Sequence, residues 1–407
     1  MTLRLYYEDP YLKEFEGKVL ECRRAGAEWE VRLDRSAFYP TSGGQPFDTG
    51  VLGESRVLDV FVDKSGEVWH RVDAELPEGE TVTGKIDWER RFDHMQQHAG
   101  EHMLANAAWR LLGGHTIGLH LGKEEVSIDM DLPEGRMHIT PEELHSLEDD
   151  VNGRIQRDVP IRQWFPTEEE LKALPLRKAP AVTEHVRVVQ IGTEEYCACG
   201  GTHPSSAGQI GLVKILEARP SKGKLRLTFV CGRRAFELLR KEHELLHEAS
   251  EKLSTSVENL PTMVGNIQAE LREVTRQRNE ARTEMLLQGA EAMYENAPLR
   301  EDGIRVICRQ ISGDMDGARA LAANLTGRGY AVAALAAGDG PRMQYVVSRS
   351  PEANLDCGKA LSQAARATGG KGGGRSDFAQ GAGPAEMLEA LKKAILKGQI
   401  IGITHTQ

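Results

Sequence analysis

The stretch of sequence that organises this protein is RRFDHMQQHAGEHMLANAAWRLL, residues 90–112. Its apolar residues recur near helical spacing and Gly113-Gly114 follows as a stop signal, so the pattern predicts one helix. His98 and His102 are four residues apart, which places both imidazoles on one face, one turn apart. A single helix can supply two zinc ligands in this way. His94 extends that face by a turn, but one helix cannot easily aim three rings at one ion, so we treat His94 as a neighbour.

A second pair of candidate ligands stands in a Gly-rich turn, Cys199-Gly200-Gly201-Thr202-His203. Its glycines let the turn fold around an ion, and soft thiolate with imidazole suits Zn²⁺. The sequence therefore predicts one zinc ion held by His98, His102, Cys199 and His203. Two kinds of site stay open: a closed structural site, or a catalytic site with one open or weakly held position. Cys197 is a substitute ligand, a redox neighbour or a small buried residue.

Length and composition bound the class of protein. The 407 residues suggest two to four domains, and 28% charged with 40% hydrophobic residues is a soluble balance. No apolar run approaches the roughly 18 residues of a membrane span, and the N-terminus does not resemble a signal peptide. The six cysteines form no disulfide framework, which favours a reducing compartment. We therefore expect a cytoplasmic protein, whose net charge of −10 still leaves room for a local basic path.

The pattern along the chain predicts an α+β multidomain fold. Residues 1–88 are rich in short strands and predict a small β-barrel with a Gly-rich motif at 38–46, for which an ordinary hairpin turn is the alternative. Residues 89–231 mix strands and helices. Residues 232–299 predict an antiparallel helical hairpin broken at Pro261, with a solvated spacer as the alternative. Residues 300–407 predict an α/β domain interrupted by a Gly-rich segment at 369–381.

Both metal motifs together resemble the editing domain of alanyl-tRNA synthetase and its free-standing AlaX-type relatives. The editing domain of threonyl-tRNA synthetase shares the histidine pair. Residues 38–50 resemble the Gly-rich segment of the barrel that precedes the editing domain, and residues 372–380 resemble the DHH-associated domain that closes alanyl-tRNA synthetases. The order of the segments also agrees, and nothing resembles the class II aminoacylation domain.

The resemblance implies a long AlaX-type protein that hydrolyses the ester of mischarged tRNA(Ala), with zinc at the four ligands. The expected substrate is chiefly Ser-tRNA(Ala), with Gly-tRNA(Ala) as a further one. Rival interpretations are a Ser-tRNA(Thr) deacylase, a non-catalytic zinc-containing tRNA-binding protein, and a phosphoesterase. The last needs an Asp-His-His motif, which the sequence lacks.

Two positions depart from the family pattern in the amino-acid pocket. Glu101 stands where the synthetases often have threonine, and residues 116–120 lack the expected glutamine. The predicted substrate-binding residues are Glu101 and the remaining polar candidates Thr41, Gln45 and Thr202. His94 and Glu101 are candidate general bases. A glutamate on an exposed helix face is more often solvated, so we expect little of Glu101 as a base.

The tRNA is expected to contact the C-terminal Gly-rich segment. Lys371 and Arg375 lie among glycines whose amides can face phosphate, with a flexible surface loop as the alternative. Residues 371–407 hold five Lys/Arg against three Asp/Glu, a net charge of +2 in an acidic protein. A homodimer through the helical hairpin or the C-terminal domain is the other partner that we consider.

Overall fold

The computed structural model describes residues 1–180, 182 and 184–396, and it divides the chain into two compact units, Met1–Glu248 and Ala249–Gln407. Residues 397–407 of the predicted C-terminal domain lie outside the described residues. The finer division into four domains stays a prediction. Within the described ranges, every helix is too short or too polar to cross a membrane.

The first unit begins with a closed barrel, as the strand-rich sequence predicted. Its elements are β1 (Leu3–Arg4), α1 (Leu5–Glu8), β2 (Glu14–Ala25), β3 (Glu28–Leu33), β4 (Arg35–Ser36), β5 (Gly50–Leu52), β6 (Ser55–Val62), β7 (Val68–Val72) and β8 (Thr81–Ile86). Six strands close in the order β2-β3-β7-β6-β5-β8. Buried and exposed residues alternate along the first half of β2, so Phe15 and Val19 point into the barrel core.

The predicted ligand helix is α2 (Trp88–Leu112). The Asp87 side chain caps its first turn by accepting from the Arg90 amide, and Gly113 ends it in the left-handed conformation. Every residue from 94 to 108 is buried, so other parts of the unit enclose this helix on all sides. Close approach of Cys231 requires Gly100, because a Cβ there would lie 2.2 Å from the Cys231 sulfur.

Two further sheets and three helices complete the first unit. They comprise β9 (His115–Leu121), β10 (Val126–Asp131), α3 (Pro141–Gln156), β11 (Ile161–Trp164), α4 (Glu168–Ala173), β12 (Val188–Ile191), β13 (Glu195–Ala198), β14 (Val213–Ser221), β15 (Lys224–Cys231) and α5 (Gly232–Lys252), which crosses the unit boundary. The sheet orders are β14-β15-β10-β9 and β11-β12-β13. Helix α3 begins with a capping box between Thr140 and Glu143.

A buried ion pair joins the barrel to α2. Arg91 and Asp48 are both fully buried, and the Arg91 guanidinium donates to both carboxylate oxygens. The same guanidinium donates to the carbonyls of Pro10 and Ala37, and the carboxylate accepts from the Tyr39 amide. Buried charges are tolerated when hydrogen bonds satisfy them in this way. The pair therefore fixes the Gly-rich segment, residues 38–48, against the helix.

The second unit contains a five-stranded sheet with helices. Its elements are α6 (Leu260–Gln288), α7 (Ala290–Glu295), β16 (Arg305–Ile311), α8 (Met315–Gly327), β17 (Ala331–Ala337), β18 (Arg342–Arg349), α9 (Cys357–Thr368), β19 (Lys371–Gly374), β20 (Phe378–Pro384) and α10 (Met387–Leu396). The strand order is β16-β17-β18-β20-β19, which places the Gly-rich β19 at one edge. This part of the Gly-rich segment is thus a paired strand, and the alternative of a flexible loop is wrong for it.

The region predicted as a helical hairpin does contain two long helices, α5 and α6. Pro261 lies in the first turn of α6, where its missing N–H costs no helical hydrogen bond. Four exposed apolar residues of α6, Val264, Ile267, Leu271 and Val274, follow heptad spacing. Packing of α5 against α6 and homodimerisation through them stay predictions.

We expect Asp48→Ala to destabilise the first unit strongly, because it leaves the Arg91 guanidinium buried without its counter-charge. Removing one partner of a buried pair costs about 3–5 kcal/mol of unfolding free energy. All five tryptophans lie in residues 1–248, so tryptophan fluorescence during urea unfolding reports on this unit alone. Asp73→Ala, which breaks the exposed pair with Arg56, is the control and should change little. Equal effects of both variants would contradict the assignment.

Candidate metal centre

The structure brings the four predicted ligands together. One donor atom from each of His98, His102, Cys199 and His203 lies within 4.8 Å of all the others. The Cys199 sulfur is 3.4 Å from both His98 Nε2 and His203 Nε2. The three histidines are buried and Cys199 is half-buried. His94 belongs to neither of the two ligand groups that the described residues form, in agreement with its exclusion.

The charges within this cluster are those of a metal-binding donor set. Burial raises the pKa of the Cys199 thiol, but the surrounding imidazoles outweigh burial and hold that pKa well below its usual range. Burial lowers the pKa of His203 to about 3, so this ring is neutral near pH 7. Burial also opposes a charge on His102, yet the sulfurs of Cys199 and Cys197 raise its pKa well above the ordinary value. Without a metal, the site thus pairs a thiolate with a protonated His102, and a bound metal ion would take the place of that proton.

The turn that carries Cys199 and His203 is held by two buried or half-buried polar side chains. Arg187 donates to the carbonyls of Cys199 and Gly201, at 3.2 and 2.7 Å, and it also donates to Gln163 Oε1. Gln163 in turn donates to the His203 carbonyl at 3.0 Å. These bonds fix the turn at both ends. Arg187 and Gln163 were not predicted from the sequence, because residues so far from the turn in the chain form no recognisable motif with it.

Gln45, a predicted substrate-binding residue, lies against the ligands. It is fully buried, and its Oε1 lies 2.9 Å from His98 Nδ1 and 3.1 Å from the Thr202 amide. Its Nε2 donates to Thr202 Oγ1 at 2.9 Å. Thr202 is fully buried as well, and its amide and its hydroxyl both hydrogen-bond to the Gln45 side chain. A direct contact of either side chain with substrate stays a prediction.

A second polar group lies behind His102. Glu195 is fully buried, and its Oε1 is 3.8 Å from His102 Nδ1 and 3.2 Å from Arg177 Nε. Arg177 also donates to Thr116 Oγ1 at 2.8 Å. Burial raises the pKa of Glu195, but His102 and Arg177 outweigh it, so the carboxylate stays ionised. Glu195, His102 and Cys197 also form the second ligand group, which places Cys197 beside the main cluster.

The expected exposure of Glu101 is wrong. Only 6% of this residue is exposed, because α2 is enclosed on all sides, a fact that residue spacing cannot reveal. His94 is also buried, and burial together with nearby arginines lowers its pKa to about 3. A pKa this low makes His94 a weak proton acceptor near pH 7. Thr41 is exposed, and its hydroxyl accepts from the Phe47 amide.

The predicted tRNA-binding residues lie in the second unit. Lys371 begins the edge strand β19, and Arg375 follows that strand and pairs with Asp377 at 3.3 Å. Both side chains are exposed. Their exposure is compatible with a nucleic-acid contact, which stays a prediction.

We expect Gly201→Ala to displace His98 and to reduce metal binding. A Cβ at Gly201 would lie 2.3 Å from His98 Cε1 and 2.4 Å from His98 Nδ1, which no side chain can occupy without moving the ring. Gly200→Ala is the matched control, because its Cβ would meet only Tyr7 Oη at an ordinary 3.4 Å. Bound metal after dialysis, measured by elemental analysis, should fall in the first variant and hold in the second. Full occupancy in both would contradict the geometry.

Three protein-family models match the chain. Residues 186–228 match the threonyl and alanyl tRNA synthetase second additional domain, which includes Cys199 and His203. Residues 303–397 match the DHHA1 domain, in agreement with the predicted C-terminal domain. Residues 11–90 match the model for class II (A) tRNA synthetases. This last match covers the barrel, where residues 38–50 already resembled a synthetase segment. The expectation that nothing resembles the class II aminoacylation domain therefore needs correction for residues 11–90.

Curated relatives agree with these models. The alanyl-tRNA editing protein AlaX-L of Pyrococcus horikoshii is 36% identical over 251 residues, 59% of this chain and 61% of that protein. The alanine–tRNA ligase of Pyrococcus abyssi is 35% identical over 395 residues, 93% of this chain, and that of Halorubrum lacusprofundi is 31% identical over 394 residues. The chain spans 42% of the length of each ligase. The predicted resemblance is thereby confirmed: this chain is similar to an alanyl-tRNA editing protein and to alanine–tRNA ligases, and it spans less than two thirds of the length of each.

Proposed function

We propose that this protein hydrolyses the ester bond of mischarged tRNA(Ala), chiefly Ser-tRNA(Ala) and also Gly-tRNA(Ala), at a zinc ion. The observation that carries this proposal is the buried convergence of His98, His102, Cys199 and His203 in a chain related to an alanyl-tRNA editing protein. An aminoacyl ester is an activated bond, so a single metal centre with modest assistance is sufficient chemistry for its hydrolysis.

The distances within the cluster support zinc. A tetrahedral zinc ion with bonds of about 2.3 Å to sulfur and 2.0 Å to nitrogen would hold those two ligand atoms about 3.5 Å apart. The Cys199 sulfur lies 3.4 Å from the Nε2 atoms of His98 and His203. The lowered pKa of Cys199 supplies the thiolate that such a bond requires.

Zinc bound here would supply Lewis-acid chemistry, by polarising the ester carbonyl or lowering the pKa of a water molecule. The residues around it would hold the ligands and exclude bulk solvent. Glu195, ionised behind His102, would increase the basicity of that ring as a ligand. Arg187 and Gln163 would keep the Cys199–His203 turn in place.

Selection of serine over alanine requires a group that hydrogen-bonds the substrate hydroxyl. A buried polar group that alanine leaves unpaired rejects alanine strongly. Burial of Glu101 between the two ligand positions on α2 favours this residue for that role. Thr41, Gln45 and Thr202 are the other candidates, and the hydrogen bonds between Gln45 and Thr202 favour a supporting role for those two.

For tRNA binding we propose the edge of the second unit that carries Lys371 and Arg375. A surface groove of about 680 Å³ lies between α9 and the end of β19, and it is lined in part by Lys359, Ser362 and Arg366. Lys359 and Arg366 of α9, together with Lys371 and Arg375, thus place four cationic side chains in and beside this groove. Asp356 also lines the groove and pairs with Lys359 at 3.6 Å, so the other three are the better candidates to neutralise backbone phosphates. Contacts of this kind position the tRNA without reading its sequence.

We expect His98→Ala to abolish release of serine from Ser-tRNA(Ala), because the site loses a ligand and the held geometry. Dialysis against a chelator should have the same effect on the unmodified protein, and added Zn²⁺ should restore activity. His145→Ala, which removes an exposed histidine on α3, is the control and should retain activity. Gly-tRNA(Ala), Ser-tRNA(Thr) and Ala-tRNA(Ala) complete the assay. Full activity of metal-free protein would refute the zinc mechanism, and no hydrolysis of any substrate would favour the binding protein.

We expect the double variant Lys371→Ala/Arg375→Ala to raise KM for the tRNA substrate while kcat changes little. Loss of two phosphate contacts should also make the slope of log affinity against log salt concentration shallower by about two. Arg309→Ala is the matched control, since Arg309 is exposed on β16 at the opposite edge of the same sheet. An unchanged salt dependence in the double variant would remove these two residues from the tRNA contact.

A further inference from the structure

Gln45 connects both halves of the metal centre to the barrel. Its side-chain oxygen faces His98 Nδ1 at 2.9 Å and the Thr202 amide at 3.1 Å, and its side-chain nitrogen faces Thr202 Oγ1 at 2.9 Å. His98 comes from α2, whereas Thr202 stands between the two ligands of the 199–203 turn. One buried side chain from a barrel loop thus contacts both ligand-bearing segments.

These contacts determine the tautomer of His98, that is, which of its two ring nitrogens carries the hydrogen. A backbone N–H can only donate, so the Gln45 atom that faces the Thr202 amide must be the oxygen. The same oxygen faces His98 Nδ1, so Nδ1 must carry the proton. In the neutral ring, Nε2 then holds the lone pair, and Nε2 is the atom that lies 3.4 Å from the Cys199 sulfur. Gln45 therefore selects the tautomer that presents Nε2 to the metal.

The other two imidazoles lack a comparable partner. Within the described residues, the buried Nδ1 atoms of His102 and His203 have no hydrogen-bond partner, and the nearest carboxylate oxygen to His102 Nδ1 is 3.8 Å away. Among the three ligand histidines in the described residues, His98 is thus the one whose Nδ1 makes a normal hydrogen bond, and Gln45 is its partner. A partner of this kind orients a metal-binding histidine and raises its strength as a ligand.

Gln45 itself has little freedom to move. Its backbone closes a tight turn with Ser42, through bonds of 2.9 and 3.1 Å, and Gly43 and Gly44 inside that turn take positive φ angles. Three residues on, Asp48 is fixed by Arg91. On the side of the ligands, Gln45 packs so closely against Gly201 that a Cβ at position 201 would lie 2.9 Å from Gln45 Oε1.

We infer that Gln45 is a positioning residue, which holds His98 in the metal-binding tautomer and fixes it to the Cys199–His203 turn, and is not a direct substrate contact. This inference rests on the metal site proposed above. The barrel then contributes directly to the geometry of the proposed metal centre, because Gln45, which orients one ligand, comes from a barrel loop.

The experiment compares Co²⁺ affinity and the thiolate-to-cobalt absorption band in the full chain. Gln45→Leu should weaken Co²⁺ binding about 10–100-fold in competition with a chelator, since His98 loses its acceptor. Gln45→Glu should stay within a few-fold of the parent, because a carboxylate still accepts from His98 Nδ1 and the Thr202 amide. Gln96→Leu is the matched control: Gln96 is buried on the opposite face of α2 and donates to the Gln209 carbonyl.

Parent-like affinity in Gln45→Leu would overturn the inference, and so would equal losses in Gln45→Leu and Gln45→Glu, which would indicate a space-filling role. Nitrogen-15 spectra of the zinc-loaded parent test the tautomer without any variant at Gln45. The His98 signal, assigned by its loss in His98→Ala, should be that of an Nδ1–H ring, and an Nε2–H ring would overturn the inference. These readouts need no tRNA, so an inactive protein that binds Co²⁺ refutes the proposed hydrolysis alone.

Discussion

The buried ion pair between Arg91 and Asp48 is the constraint on which the metal centre depends. Arg91 stands two turns before His98 on α2, and Asp48 closes the Gly-rich segment that carries Gln45. Because both charges make their hydrogen bonds within the unit, the pair holds the two elements together at one defined contact. His98 and His102 of α2, the Gln45 side chain and the 199–203 turn then lie together in one cluster. The four candidate ligands come from α2 and the 199–203 turn, but a barrel segment contributes to their relative position.

Local sequence patterns were sufficient for the features that depend on local geometry. The four-residue spacing of His98 and His102 decides which way two side chains point on a helix, and α2 carries them as expected. The strand-rich N-terminal region does form a barrel, and the two long helices around Pro261 are present. For the helices, the deciding interactions join residues a few positions apart, or follow from the conformational limits of glycine and proline. The barrel strands are local in the sequence, but the pairing that closes the barrel joins Glu14 of β2 to Lys85 of β8.

Features that depend on distant contacts were outside the reach of the sequence. Glu195 behind His102, and Arg187 on the 199–203 turn, have their roles only because the fold brings them there. The burial of Glu101 follows from packing on every side of α2, which helical spacing does not encode. The Gly-rich C-terminal segment shows a related limit: composition suggests a flexible loop, whereas Gly372 is required because a Cβ would lie 2.9 Å from a Leu361 methyl group.

The long separations within the metal centre have a consequence for biosynthesis. Gln45 and Thr202 are hydrogen-bonded across 157 positions of the chain, and Cys199 lies 101 positions after His98. N-terminal segments fold first during synthesis, so the barrel and α2 emerge while the site still lacks half of its donors. At the proposed metal site, metal capture would then be a late step, after residue 203 has left the ribosome, because His98 and His102 alone would be an incomplete and weaker chelator. The order of the segments would thus delay uptake of the proposed metal until the surrounding fold can exclude solvent.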